Sequence, residues 1–281
     1  MVRTGQRSRE SAGSVEERSR LSITIIARDE EDRLPDALSS VAFADEVIVV
    51  VDQASTDRTE EIATEFGAKV VVRRFEGFGD QKNVAQDAAR GPWILSLDAD
   101  EIVSPGLAVE IRARLLELAK EEDGAPGVIA FRIPILLEFL GRPLRFGRDT
   151  IVRPVRLYHR DHARFSRDPI HEKVLVRGKL DAFDESIFHH SYRDLTHYLE
   201  KLNLYTTLAA ESKQSAGRSG PRFLPLRVAW EFIDRAFLRL AILDGAPGLT
   251  FAALSAANTL LKYLKLAELS EGTGGKGRTG R

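Results

Sequence analysis

No cysteine occurs anywhere in the 281 residues. Disulfides, thiolate metal sites and a cysteine nucleophile are therefore excluded, and the composition fits a reducing compartment. Neither sign of charge dominates: the formal net charge is −1, so no global field argues for a nucleic-acid partner. No stretch is long and apolar enough to span a bilayer. The N-terminal segment has no apolar core of the kind a secretory signal needs. Residues 1–20, rich in Arg, Ser and Glu, are expected to form a disordered leader, and residues 268–281 a flexible tail. What is present is ordinary for a globular chain, with 43% hydrophobic and 30% charged residues. One imbalance is local: eleven Lys or Arg face four Asp or Glu between Gly141 and Leu180, which suits an anionic ligand and equally suits a solvated face.

Short apolar runs alternate with helical patterns through the first hundred residues. Leu21–Ile26, Val47–Val51, Lys69–Val72 and Trp93–Leu97 read as strands. Between them, Leu34, Leu38 and Val41 mark one helix. Ser55-Thr56-Asp57 cap another that Gly67 closes, and Gln81–Arg90 form a third. This alternation predicts βαβ units and a mostly parallel α/β sheet flanked by helices. In such sheets ligands bind beyond the carboxyl ends of the strands. Asp29, Glu30, Asp52 and Asp98 all fall at those ends.

The fourth strand runs straight into Asp98-Ala99-Asp100-Glu101. In an extended backbone, residues two apart point the same way, so Asp98 and Asp100 are expected to face one ligand. Two such carboxylates suit Mg²⁺ or Mn²⁺ held together with a substrate's phosphates, and a strand ending in a polar turn is the plainer reading. Ser104-Pro105 beyond it reads as a helix cap and first helical residue. Lys82 near the start of a helix opposes the helix dipole, a conflict that a phosphate would remove. Gly77-Phe78-Gly79 is not a dinucleotide fingerprint, because the third glycine is missing.

After the Gly/Ser-rich break at residues 212–221, Phe223, Leu226, Trp230, Ile233, Phe237 and Leu240 recur three and four apart, with Arg222, Arg227, Arg235 and Arg239 between them. This is the apolar stripe of an amphipathic helix, packed on the main domain or a partner, or laid on an anionic membrane surface. The expected organisation is a domain over residues 21–211, divided near 104 into nucleotide-binding and acceptor halves, followed by C-terminal helices over 222–267.

Ile25-Ile26-Ala27-Arg28-Asp29-Glu30-Glu31, Val51-Asp52-Gln53-Ala54-Ser55-Thr56-Asp57, Gln81-Lys82-Asn83 and Leu97-Asp98-Ala99-Asp100-Glu101 occur in the order found in family 2 glycosyltransferases. The second half adds Arg156-Leu157-Tyr158, Ile170-His171-Glu172-Lys173-Val174, His190-Ser191-Tyr192-Arg193-Asp194, Leu243-Asp244-Gly245 and Leu261-Lys262-Tyr263. With these the chain resembles the bacterial branch of lipopolysaccharide core glucosyltransferases. Two departures stand out: the family usually has Asn at the position of Asp29, and a glycine where this chain has Gln53-Ala54.

The resemblance implies a GT-A fold and an inverting transfer from a UDP-sugar, UDP-glucose in this branch, to a lipid-linked glycan such as lipopolysaccharide inner core. Ala27, Arg28 and Glu30 would line the nucleotide pocket, Asp52 would meet the base and Lys82 the phosphates. Arg153 and Arg156 would grip the diphosphate or an anionic acceptor. Asp100 would ligate Mn²⁺ or Mg²⁺, with Asp98 beside it and His190, or His189, completing the shell. Glu172 is the candidate base, with His171 and Asp168 as alternatives. The enzyme is expected to be cytoplasmic, peripheral at the inner face of the membrane. It would add one sugar at a time, since the Gln-x-x-Arg-Trp motif of processive synthases is absent. A polyprenyl-phosphate sugar transferase and a non-catalytic assembly protein are the rival readings.

Overall fold

The computed structural model describes residues 17, 19–120, 127–147, 151–168, 172–192 and 194–274. The chain forms two compact units, Met1–Pro134 with Arg153–Ile187, and Ile135–Val152 with Phe188–Arg281.

The first unit is built on a seven-stranded sheet. Strands β1 (Leu21–Ala27), β2 (Glu46–Asp52), β3 (Lys69–Arg73) and β4 (Trp93–Asp98) are the four expected from the sequence. β1 lies inside the sheet and pairs in parallel with β2 on one side and β4 on the other; β3 extends the β2 side. Strands β5 (Val128–Arg132), β6 (Val155–His159) and β9 (Lys179–Ala182) complete it in the order β9-β5-β6-β4-β1-β2-β3. β6 is antiparallel to both neighbours. Helices α1 (Leu34–Ser40), α2 (Thr59–Glu65), α3 (Phe78–Ala88) and α4 (Pro105–Lys120) accompany the sheet. The fold class is therefore the expected α/β one. Strands of such a sheet are buried on both faces and read as continuous apolar runs. Ile23, Ile25, Val49 and Leu95 are fully buried, and Ile48, Val50, Ile94, Tyr158 and Phe165 share one core cluster. Ser104 caps α4, its Oγ accepting the Leu107 N–H at 3.1 Å, as the sequence suggested. A short hairpin, β7 (Ala163–Phe165) with β8 (Val174–Val176), stands apart from the sheet.

The second unit gathers helices α5 (Leu195–Ser215), α6 (Leu224–Ile233) and α7 (Gly245–Gly274). Asp194 caps α5, its carboxylate accepting the His197 N–H at 2.8 Å. Strand Ile135–Phe139 pairs with Arg142–Pro143 and Ile151–Val152, and Phe139 packs with Tyr198 and Phe251. Asp244 accepts the Arg145 and Phe146 N–H groups at 3.0 and 2.8 Å. This division differs from the expected boundary at residue 211, because α5 packs along α7. Lys265 Nζ reaches the Asn203 carbonyl at 2.7 Å and Thr206 Oγ1 at 2.8 Å, and Gln214 Nε2 donates to the Leu269 carbonyl at 2.9 Å. Of the expected leader, residues 1–16 and 18 lie outside the described residues, as do 275–281 of the expected tail; helix α7 runs on through 268–274. Among the described residues no single helix is long and apolar enough to cross a membrane. The bent pair Leu224–Leu238 and Ala241–Ser270, at 67°, passes that test together by length and composition.

Candidate active site at the sheet edge

β1 lies between β2 and β4, so strand order reverses across it, and a crevice opens beyond the carboxyl ends at that reversal. A cavity of about 360 Å³ occupies it, lined by Ala27, Arg28, Glu30, Asp52, Asp98 and Asp100 among others.

The loops after β1 and β2 are tied by their own polar groups. Asp29 has a left-handed backbone, φ 53°, a region that Asn and Asp tolerate. Its carboxylate accepts the Thr56 N–H at 2.8 Å, and its N–H donates to Ser55 Oγ at 3.0 Å. The Thr56 N–H holds the Asp29 carboxyl below its usual value. Glu30 and Glu31 donate their N–H groups to Thr59 Oγ1 and Asp57 Oδ2 at 2.8 and 2.9 Å. Asp52 is buried; its Oδ1 accepts the Ala54 N–H at 3.0 Å, and its Oδ2 lies 3.5 Å from Arg28 Nη1. Among the described residues only Asp29, Leu140 and Leu240 combine a side chain with positive φ. Gln53-Ala54 therefore turns the chain without glycine.

Asp98 and Asp100 both line the crevice, though not by strand alternation. β4 ends at Asp98, and Ala99-Asp100 form a turn closed by Glu101, whose Oε2 accepts the Asp98 N–H at 2.9 Å. Asp100 Oδ2 lies 3.8 Å from Arg33 Nη1, which also meets Glu30 at 3.3 Å.

A charge network runs inward from Asp98. Lys82 Nζ lies 3.1 Å from Asp98 Oδ1 and 3.2 Å from Glu172 Oε1. Arg156 Nη2 lies 3.0 Å from Asp98 Oδ2 and 2.5 Å from Glu101 Oε1. Burial opposes the Asp98 charge, but Arg156 and Lys82 outweigh it and hold the carboxyl far below its usual range. Burial likewise opposes the Arg156 charge, and Glu101 and Asp98 outweigh it.

Lys82 is thus buried, with two carboxylates answering its charge, and not solvated at a helix start. The next residue, Asn83, fixes it there. Asn83 exchanges two hydrogen bonds with the Phe165 backbone, both 3.1 Å, tying α3 to the β7–β8 hairpin. Gly79 permits the approach: a Cβ there would stand 2.0 Å from the Ser166 carbonyl oxygen and 3.6 Å from Glu172 Cβ. A second cavity of about 410 Å³ shares Asp98 with the first and is lined by Lys82, Arg156 and Glu172 as well. Of the other expected residues, Arg153 is exposed and offers its carbonyl to Arg132, at 3.2 Å. Asp168 is exposed and lines neither cavity. His171 lies outside the described residues. His190 belongs to the second unit, where its Nε2 meets Glu138 at 2.9 Å; His189 there pairs with Ser191 Oγ at 3.0 Å.

A sequence model described as Glycosyl transferase family 2 matches residues 22–164. The chain belongs to that family. An uncharacterized glycosyltransferase of Rickettsia typhi is 28% identical over 261 residues, covering 89% of this chain and 88% of the relative. Among solved structures, Staphylococcus aureus TarS 1–349 overlaps 90% of this chain and 92% of its own length, at 16% identity and a TM-score of 0.40. Glucosyl-3-phosphoglycerate synthase of Mycobacterium tuberculosis, solved with Mn²⁺ and UDP, overlaps 48% of this chain and 51% of its own, at 22% identity and TM-score 0.34. The chain spans 39% of the longer TarS structure.

In this family 2 chain, the described residues hold no group of three His, Cys, Asp or Glu able to cage a metal. Both Asp98 oxygens already face cations. The donor set fits a hard cation that arrives on a diphosphate and takes one or two carboxylates from the protein, Asp100 foremost. Three features escaped sequence reading. Glu101 was visible only as a third carboxylate, and its role emerges from burial beside Arg156. Phe75 and Phe78, 5.0 Å apart and partly exposed, line the first cavity, as does buried Gln81. Arg132 and Lys173 line the second cavity.

Proposed function

We propose that this glycosyltransferase moves one sugar at a time, glucose, from a UDP-sugar to a lipid-linked glycan such as lipopolysaccharide inner core, with inversion and with Mn²⁺ or Mg²⁺. The observation that carries the reading is the pair of cavities meeting at Asp98, one lined by the strand-end carboxylates and the other by Glu172. The nucleotide occupies the first, with Ala27, Arg28, Glu30 and Asp52 around nucleoside and ribose. The acceptor occupies the second. Its hydroxyl oxygen attacks the anomeric carbon from the face opposite the diphosphate. The carbon–oxygen bond to the phosphate breaks, its electron pair leaves with the nucleoside diphosphate, and the hydroxyl proton passes to the Glu172 carboxylate. Lys82 holds that carboxylate at 3.2 Å. The metal, once bound at Asp100 with the diphosphate, supplies Lewis-acid stabilisation of the leaving charge. The exposed apolar stripe and arginines of the second unit support a peripheral position at the inner face of the membrane.

Titration of nucleotide sugars with and without Mn²⁺ tests the reading. A ligand stabilises the fold as its concentration exceeds its dissociation constant, so the true donor raises the melting temperature most. Asp100→Ala is expected to abolish Mn²⁺-dependent UDP binding while the chain stays folded; undiminished binding would remove the metal from this site. Glu172→Gln is expected to bind donor as the parent does and to transfer about 10²–10⁴-fold more slowly. Transfer at the parental rate would place the base elsewhere.

A further inference from the structure

The second cavity carries more positive charge than its own carboxylates answer. Four cations line it, Lys82, Arg132, Arg156 and Lys173, against two carboxylates, Asp98 and Glu172. Two of the cations are engaged. Lys82 and Arg156 are buried and joined to Asp98, Glu172 and Glu101 at 2.5–3.2 Å. The other two are not. Arg132 is exposed, and among the described residues the one hydrogen bond of its guanidinium goes to a neutral partner, the Arg153 carbonyl at 3.2 Å. Lys173 is exposed, and among the described residues no carboxylate lies within ion-pair distance of its ammonium. Pro154, Val155 and Val174 form an apolar wall beside them, which lowers the local dielectric and lengthens the reach of both charges.

We infer that this cavity recognises an oxyanion on the acceptor, a phosphate monoester or a carboxylate held by Arg132 and Lys173, close to the hydroxyl that Glu172 deprotonates. The inference rests on the transfer reading above and narrows its acceptor class from glycans in general to anionic ones. A guanidinium presents a fork that matches two oxygens of such a group, and an ammonium adds a point charge. A neutral sugar in the same place would leave both cations unanswered.

The test uses the full chain and inorganic phosphate, with acetate as the carboxylate counterpart. Each is titrated by calorimetry into protein already saturated with UDP and Mn²⁺, so that the donor crevice is filled. The parent is expected to bind at least one of the two anions, and the stronger binder tells phosphate from carboxylate. Arg132→Gln/Lys173→Gln is expected to lower that affinity about tenfold or more, with UDP affinity unchanged. Arg132→Lys/Lys173→Arg keeps both charges and is expected to retain most of it. Both positions are exposed, so folding is not at stake. Equal anion affinity in the parent and the Gln variant, or no anion binding to the UDP-saturated parent, overturns the inference. If UDP itself fails to bind, the donor reading falls. The same titration on free protein still decides the anion site, where loss in the Gln variant supports it and equal affinity overturns it.

Discussion

Glu101 shows how one side chain can decide a site without lining it. Its side chain is 2% exposed, and its two oxygens divide their work between the Arg156 guanidinium and the Asp98 N–H. Removing one partner of a buried pair leaves the other charge uncompensated, which is worse than never having had the pair. Glu101→Gln keeps an oxygen for the Asp98 N–H and deletes only the charge. We expect it to lower unfolding stability by about 3 kcal/mol in urea titration, with Asp98 still answering Arg156. A change within about 0.5 kcal/mol, the range of ordinary surface substitutions, would show the pair to be energetically idle. Nothing in the sequence singled out Glu101, since a third acidic residue after Asp98 and Asp100 looks like more of the same turn. The departures from the family pattern were legible as changes and became interpretable only from the backbone. Asp29 stands where Asn is usual because its position requires φ 53°, and either residue can cap the Ser55-Thr56 loop from there. Gln53-Ala54 needs no glycine because neither residue takes a positive φ.

Helix α3 is the element on which the two cavities depend. It delivers Gln81 to the first and Lys82 to the second, and Asn83 and Gln86 anchor it to the chain around β7, Gln86 Nε2 donating to the Ala163 carbonyl at 3.0 Å. Its approach requires a bare backbone at Gly79, where a Cβ would stand 2.0 Å from the Ser166 carbonyl oxygen. A backbone atom cannot swing aside as a flexible side chain does. Gly79→Ala is therefore expected to push α3 from the hairpin, lowering stability by about 1–3 kcal/mol and separating Lys82 from Glu172. Transfer should fall further than UDP binding, because Glu172 lines only the second cavity. Parental stability and rate together would mean the hairpin yields freely. Strands β1, β2 and β4 were readable because a strand buried on both faces must be apolar along its length, and the edge strand β3, which has no buried residue, because of its β-branched run Val70-Val71-Val72. The place of β6 was not, because a segment of five residues carries no mark of which neighbours it will pair with or in which direction. Its insertion beside β4 brings Arg156 to Asp98, so half of the charge network was hidden with it.

At the scale of the whole molecule, the six-residue stripe foreseen in the tail stays uncovered. Phe223, Leu226, Trp230, Ile233, Phe237 and Leu240 are 43–69% exposed, and α6 contributes no buried residue. Exposed apolar surface of this extent marks an interaction site. Arg222 and Arg227 flank it in the open, whereas Arg235 turns to Glu231 at 2.7 Å. Each side chain fully buried in a lipid interface would contribute about 1.5–3 kcal/mol, and each arginine near an anionic surface about 1 kcal/mol. The chain carries its own reporter of that event. It has two tryptophans, Trp93 buried at 5% exposure and Trp230 at 54%, so a change in emission on adding vesicles comes from the tail. Vesicles containing anionic phospholipid are expected to shift the emission to shorter wavelength and to sediment the protein, neutral vesicles to do both more weakly, and high salt to reverse the difference. Leu226→Asp should abolish the shift while leaving UDP binding intact, since the donor cavity is lined entirely by the first unit. If the parent neither shifts nor sediments with anionic vesicles, the stripe is a protein-binding face and the proposed membrane position falls.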